Sequence, residues 1–127
     1  MTARRRYKPM PPLTRTAERA LRKCIREKWE PALVEYKEGY VPHWLVSPGS
    51  CALCNEYFGC GCRSCPIRQR TGEAGCRNSP FDRVHKLYAI VSCNEYLIRA
   101  AIAAEVRFLY DTLRLGLKAR ERAKEKK

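Results

Sequence analysis

Six of the eight cysteines fall between Cys51 and Cys76, and their spacing limits the fold more than any other feature of the chain. Cys51/Cys54 and Cys62/Cys65 are Cys-x-x-Cys pairs, separated by a seven-residue stretch that holds Gly59, Cys60 and Gly61. Two such pairs supply four soft thiolates. A tight turn within each pair returns the second sulfur to the ion held by the first, which completes a tetrahedral shell around Zn²⁺. Cys76, after Thr71 to Gly75, is close enough to replace one of the four, and Cys60 is also near. The ligands are therefore expected among Cys51, Cys54, Cys62, Cys65 and Cys76, with one structural zinc ion as the cofactor. A shell of four thiolates has no position open to a substrate, so the ion's expected role is structural.

Cys65-Pro66 has the form of the Cys-Pro that follows the last thiolate of some iron–sulfur sites, which keeps a cluster as the alternative occupant. At 127 residues the chain reads as one small domain. Its middle third lacks long apolar periodicity, so metal binding is expected to contribute folding free energy there. A disulfide framework would need an oxidising compartment. The basic N-terminal residues are not followed by an apolar run of signal-peptide type, so reduced thiols in the cytoplasm are expected. No stretch reads as a membrane span.

The net charge is +13, and it is unevenly placed. Residues 1–28 carry +8, residues 63–86 carry +4 and residues 114–127 carry +5. Charge gathered at both ends and beside the cysteines points to a polyanionic partner, of which nucleic acid, DNA or RNA, is the commonest. Arg4, Arg5, Arg6, Arg15, Arg19, Arg22 and Arg26 would make the N-terminal contacts, and Arg63, Arg68, Arg70 and Arg77 those beside the ion.

Residues 1–12 combine arginines with Pro9, Pro11 and Pro12 and read as an extended, flexible basic arm. Thr14 or Thr16 caps a helix whose apolar positions are Ala17, Leu21, Cys24/Ile25 and Trp29. Cys24 reads here as a small buried apolar residue and not as a ligand, and Pro31 should end or bend the helix. A short strand or turn is expected around Val41 to Val46. Trp29, Tyr36, Tyr40 and Trp44 are expected to pack over the metal site, and His43 to lie on the surface. Ser79-Pro80 starts a helix that carries His85, a surface residue with some capacity to ligate. From Leu97 the spacing Ile98, Ile102, Val106, Leu109, Leu113 and Leu117 is strongly helical. The expected architecture is mostly α. An antiparallel helical pair or small bundle over residues 13–117 would carry an irregular zinc-binding cysteine-rich loop at 44–80, and 118–127 would form an exposed basic helical tail.

Lys28-Trp29, the two Cys-x-x-Cys pairs, Thr71-Gly72, the segment from Cys76 to Phe81, Ala104-Glu105 and Phe108-Leu109 together resemble a group of small cysteine-rich proteins encoded by tailed bacteriophages and prophages. The resemblance runs from about Lys28 to Leu113. It implies zinc binding and raises Cys76 over Cys60 as a ligand. It brings no shared activity with it.

Metal-dependent nucleases need carboxylate or histidine ligands with open positions. His43 and His85 are widely spaced, and no acidic cluster lies near the thiols, so the chain is not expected to be an enzyme. The expectation is a non-catalytic zinc protein that contacts nucleic acid through basic helix faces and termini. The alternative is a protein-interaction module that docks on a host or phage protein as inhibitor, regulator or assembly component.

Overall fold

The computed structural model describes residues 7–35, 41–47, 51–57, 63–73, 76–89 and 95–125. These residues are mostly helical and contain no strand. The helices are α1 (Arg15–Cys24), α2 (Glu30–Glu35), α3 (His43–Val46), α4 (Ala52–Tyr57), α5 (Pro66–Thr71), α6 (Phe81–Tyr88) and α7 (Glu95–Glu125). A five-residue π-helical segment, Ile25–Trp29, joins α1 to α2.

The long helix α7 is the element on which the others assemble. It packs against α1, the π segment, α2, α5 and α6. Its buried stripe holds Ile98, Ile102, Val106, Leu109 and Leu113 at the expected helical spacing, and Ala101, Phe108 and Gly116 widen it. The pairing with α1 is antiparallel. The Leu13 N–H donates to the Gly116 carbonyl at 3.1 Å, Arg120 pairs with Glu18 at 2.9 Å, and the Tyr110 hydroxyl donates to Glu30 at 2.9 Å. Leu13 and Glu18, at the start of the pair, meet Gly116 and Arg120 toward the C-terminal end of α7, whereas Glu30, farther along the chain, meets Tyr110 nearer the middle of α7.

Thr14 caps α1, its hydroxyl accepting from the Ala17 N–H at 3.0 Å. Of the two outcomes expected at Pro31, an end or a bend, the helix does not end there. A proline inside a helix lacks an N–H and crowds the carbonyl four residues before it. Here the π segment widens the turn just ahead of Pro31, and α2 continues through it.

Two further expectations are corrected and a third is narrowed. Residues 7–12 are not a free arm: the Lys8 N–H donates to the Arg70 carbonyl at 2.6 Å, the Tyr7 ring lies 5.2 Å from Phe108, and Met10 packs on the core. Of the strand or turn expected around Val41 to Val46, the structure takes the turn, as the single helical turn α3. The cysteine-rich region is more regular than expected, because α4 begins directly after Cys51 and α5 directly after Cys65, with Pro66 at the first helical position. Gly72 ends α5 in the left-handed conformation, φ 82°, where a side chain would be strained. α6 begins at Phe81, one residue later than expected, with Pro80 and not Ser79 at the N-cap position, and the Ser79 hydroxyl accepts from the Phe81 N–H at 3.3 Å. The basic tail continues as helix to Glu125. Arg4, Arg5, Arg6, Tyr36, Tyr40, Cys60, Cys62 and Cys93 lie outside the described residues. Among the described residues no helix is long and apolar enough to cross a membrane.

Candidate metal centre

A cavity of about 440 Å³ lies where α1, the π segment, α4, α5, α6 and α7 meet. All five cysteines among the described residues line it: Cys24, Cys51, Cys54, Cys65 and Cys76. Each arrives from a different local setting. Cys24 is the last residue of α1, Cys51 immediately precedes α4, Cys54 sits within its first turn, and Cys65 immediately precedes α5. Cys76 comes from the turn that leads into α6 and has φ 61°, an uncommon conformation for a residue with a Cβ. That turn is held by Ser79, whose hydroxyl donates to the Cys76 carbonyl, and by Asp82, which accepts from the Asn78 N–H at 2.8 Å.

The Cys24 and Cys51 sulfurs are 3.3 Å apart, in contact but unbonded. A disulfide would bring them to about 2.05 Å. Two thiolates on one tetrahedral zinc, at bonds of about 2.3 Å, stand about 3.8 Å apart. The Cys51 thiol is held well below its usual range by side-chain hydrogen bonds with Cys24 and Cys54. The same contacts push Cys24 and Cys54 up. Burial raises Cys76, with Glu105 adding to the effect.

Two buried charges share the cavity. Lys28 is 4 % exposed, and its ammonium donates to the Ser47 carbonyl at 3.3 Å and lies 5.3 Å from the Trp29 ring centre. Glu105, from α7, is 3 % exposed. The walls between them are apolar, with Trp29, Leu53, Ile67, Phe81 and Leu109. Trp29 therefore packs over the site as expected, whereas Trp44 is largely exposed. His85 lines the cavity from the exposed face of α6, with its ring 6.0 Å from Phe81 and 6.4 Å from Tyr88. His43 is exposed beside Tyr88.

Among the described residues no three His, Cys, Asp or Glu side chains stand close enough to ligate one ion together. The donor set is nonetheless that of a thiophilic metal: soft sulfurs converge on one apolar-walled space, and a buried cation is placed to offset their charge. Of the expected ligands, Cys51, Cys54, Cys65 and Cys76 are brought to this cavity, while Cys62 lies outside the described residues.

The arginines expected to meet nucleic acid divide into three groups. Arg15, Arg19, Arg22 and Arg26 are exposed on α1 and the turn after it, and Arg22 is also paired with Glu18 at 3.0 Å. Arg63 is exposed, while Arg68 and Arg77 stand at the mouth of the thiol cavity. Arg70 is a correction. It is 9 % exposed, its guanidinium sits 4.6 Å from the ring centres of both Tyr7 and Phe108, and it donates to the Phe108 carbonyl and the Thr112 hydroxyl at 3.1 and 2.9 Å. It ties the N-terminal segment to α7 and faces no partner.

Cys24, Lys28 and Glu105 were not expected at the site. Lys28 and Glu105 carried a usable signal, since each is a charged residue inside an otherwise apolar helical stripe. Cys24 carried none, because a cysteine among Leu21 and Ile25 at helical spacing reads as core. Comparison with protein-family models, with curated proteins and with solved structures found no match. The class is thus defined by fold and site alone: a mostly helical domain built around a thiol-lined cavity.

Proposed function

We propose that this chain is a non-catalytic, metal-stabilised zinc protein that contacts nucleic acid through the outer face of its first helix. The observation that carries the reading is the row Arg15, Arg19 and Arg26, which is exposed, lies on one helical stripe and forms no ion pair among the described residues. Eleven residues of helix span about 16 Å, enough to meet successive phosphates of a nucleic-acid backbone. Arg63 and Arg77 extend the positive surface toward the cysteine-rich region. If the chain is phage-encoded, as its resemblance to the cysteine-rich phage proteins implies, it would act in the cytoplasm of a host cell.

The test is fluorescence anisotropy of duplex DNA and single-stranded RNA probes across a range of salt. Affinity should fall steeply with salt. Replacing Arg15, Arg19 and Arg26 by glutamine should flatten the logarithmic slope by about 1 per arginine that touches a phosphate. Unchanged affinity in the triple variant would sink the assignment.

A second reading rests on exposed apolar side chains. Tyr96 is 83 % exposed and Leu97 45 %, side by side at the start of α7, and Trp44 and Tyr88 are exposed near His43. Such side chains suit a docking surface for a host or phage protein. Failure to bind any nucleic-acid probe would favour it.

A further inference from the structure

We propose that Cys24, supplied by the first helix and lying outside the cysteine-rich segment, is a ligand of the metal centre and shares one ion with Cys51. The proposal rests on the metal-binding reading above and adds to it a ligand that the Cys-x-x-Cys spacing does not include.

Four observations converge on Cys24. Its sulfur is 3.3 Å from that of Cys51, close to the separation of about 3.8 Å required by two thiolates on one tetrahedral ion. Cys24 lines the same cavity as the four described thiols of the motif. The π turn starts at the next residue, and with its wider period Cys24, Lys28 and Trp29 all face that cavity. Finally, Lys28 is buried one turn beyond Cys24. An ammonium taken out of water is costly unless negative charge lies near it, and a metal bound by several thiolates carries net negative charge at that place.

A purely packing role would explain the burial of Cys24. It would not explain why the one cysteine of α1 is set sulfur to sulfur against the first thiol of the motif. With Cys24 as a ligand, the metal bridges 27 residues and fastens α1 to the cysteine-rich region. The ion then holds two parts of the tertiary structure together, which a site made only of two adjacent knuckles would not do.

The experiment is cadmium-113 loading of the full chain, with scalar couplings recorded from the metal to cysteine Hβ protons. Coupling to both Cys24 and Cys51 is expected. Couplings confined to cysteines between Cys51 and Cys76 would overturn the proposal and leave the metal-binding reading intact, whereas a chain that takes up no cadmium, zinc or iron would sink both. If the protein purifies with iron and sulfide, the same question is asked of Cys24→Ala, with Cys93→Ala as control. Loss of visible absorbance in Cys24→Ala alone supports ligation, and retention in both variants overturns it.

Discussion

The sulfur of Cys24 on α1 touches the sulfur of Cys51 at the start of α4, 3.3 Å away and 27 residues later in the chain. The contact joins the helical pair to the cysteine-rich region, so the two should lose order together when metal is removed. Zinc affinity depends on deprotonated thiols. Chelator treatment, or titration from pH 7 toward pH 5, is therefore expected to release the ion and lower the melting temperature by several degrees. The check is far-ultraviolet circular dichroism with metal content measured alongside. A melting curve that does not respond to chelator would argue against a folding role for the ion.

Arg70 joins three segments through one guanidinium, stacking on Tyr7 and Phe108 and bonding to Thr112. Arg70→Ala is expected to destabilise the domain by about 2–4 kcal/mol, the sum of lost charged hydrogen bonds and cation–π contact. Arg70→Lys should recover little, because an ammonium lacks the planar fork that reaches two acceptors while stacking. Urea denaturation of both variants measures this. Nucleic-acid affinity per folded molecule should stay unchanged, which separates Arg70 from the exposed arginines of α1.

Glu18 accepts from Arg22 and pairs with Arg120, which itself donates to the Leu13 carbonyl at 3.3 Å. The hydrogen bonds from Arg22 and Arg120 hold its carboxyl below the usual value of 4.5. A group whose pKa is lower in the folded state than in the unfolded one contributes stability above the unfolded pKa, and that contribution is lost as pH falls through the folded pKa. Stability should thus decline below about pH 4.5, and Glu18→Gln should flatten that part of the profile. Equal slopes for the two proteins in thermal melts from pH 5 to pH 3 would show that the pair contributes nothing.

Gly116 lies inside α7, where its carbonyl accepts from Leu13, and a Cβ built there would stand 3.0 Å from the Leu13 Cβ. Replacing a helical glycine by alanine ordinarily gains about 1 kcal/mol. Here most of that gain should be cancelled by the contact, since Leu13 is fully packed and its Cβ cannot rotate away. Gly116→Val should cost about 2 kcal/mol or more through overpacking. An increase in the urea midpoint for the valine variant would refute the close approach.

Much of the helical framework was readable before the structure. The spacing from Ile98 to Leu113 places α7, and Thr14 or Thr16 marks the start of α1, with the structure taking Thr14, because a stripe of apolar side chains and a capping hydroxyl are local properties of consecutive residues. Pro31 was misleading for a related reason: its steric clash is local, but the wider turn that absorbs it depends on how Cys24, Lys28 and Trp29 are buried. The arm before Leu13 was read from its prolines and arginines as free. Tyr7 holds it down against Phe108, about a hundred positions away, and Met10 packs on the core.

By itself the sequence determined that a set of closely spaced thiols would meet near one point and that helices would surround them, since short spacings and periodicity constrain geometry directly. It also determined where positive charge would gather. Only the tertiary structure decided which cysteine from outside the motif joins the others, which arginine is withdrawn from the surface, and which lysine is buried beside the thiols. Those outcomes depend on α1 and α7 running antiparallel, and the cavity they help enclose is formed by side chains far apart in the chain.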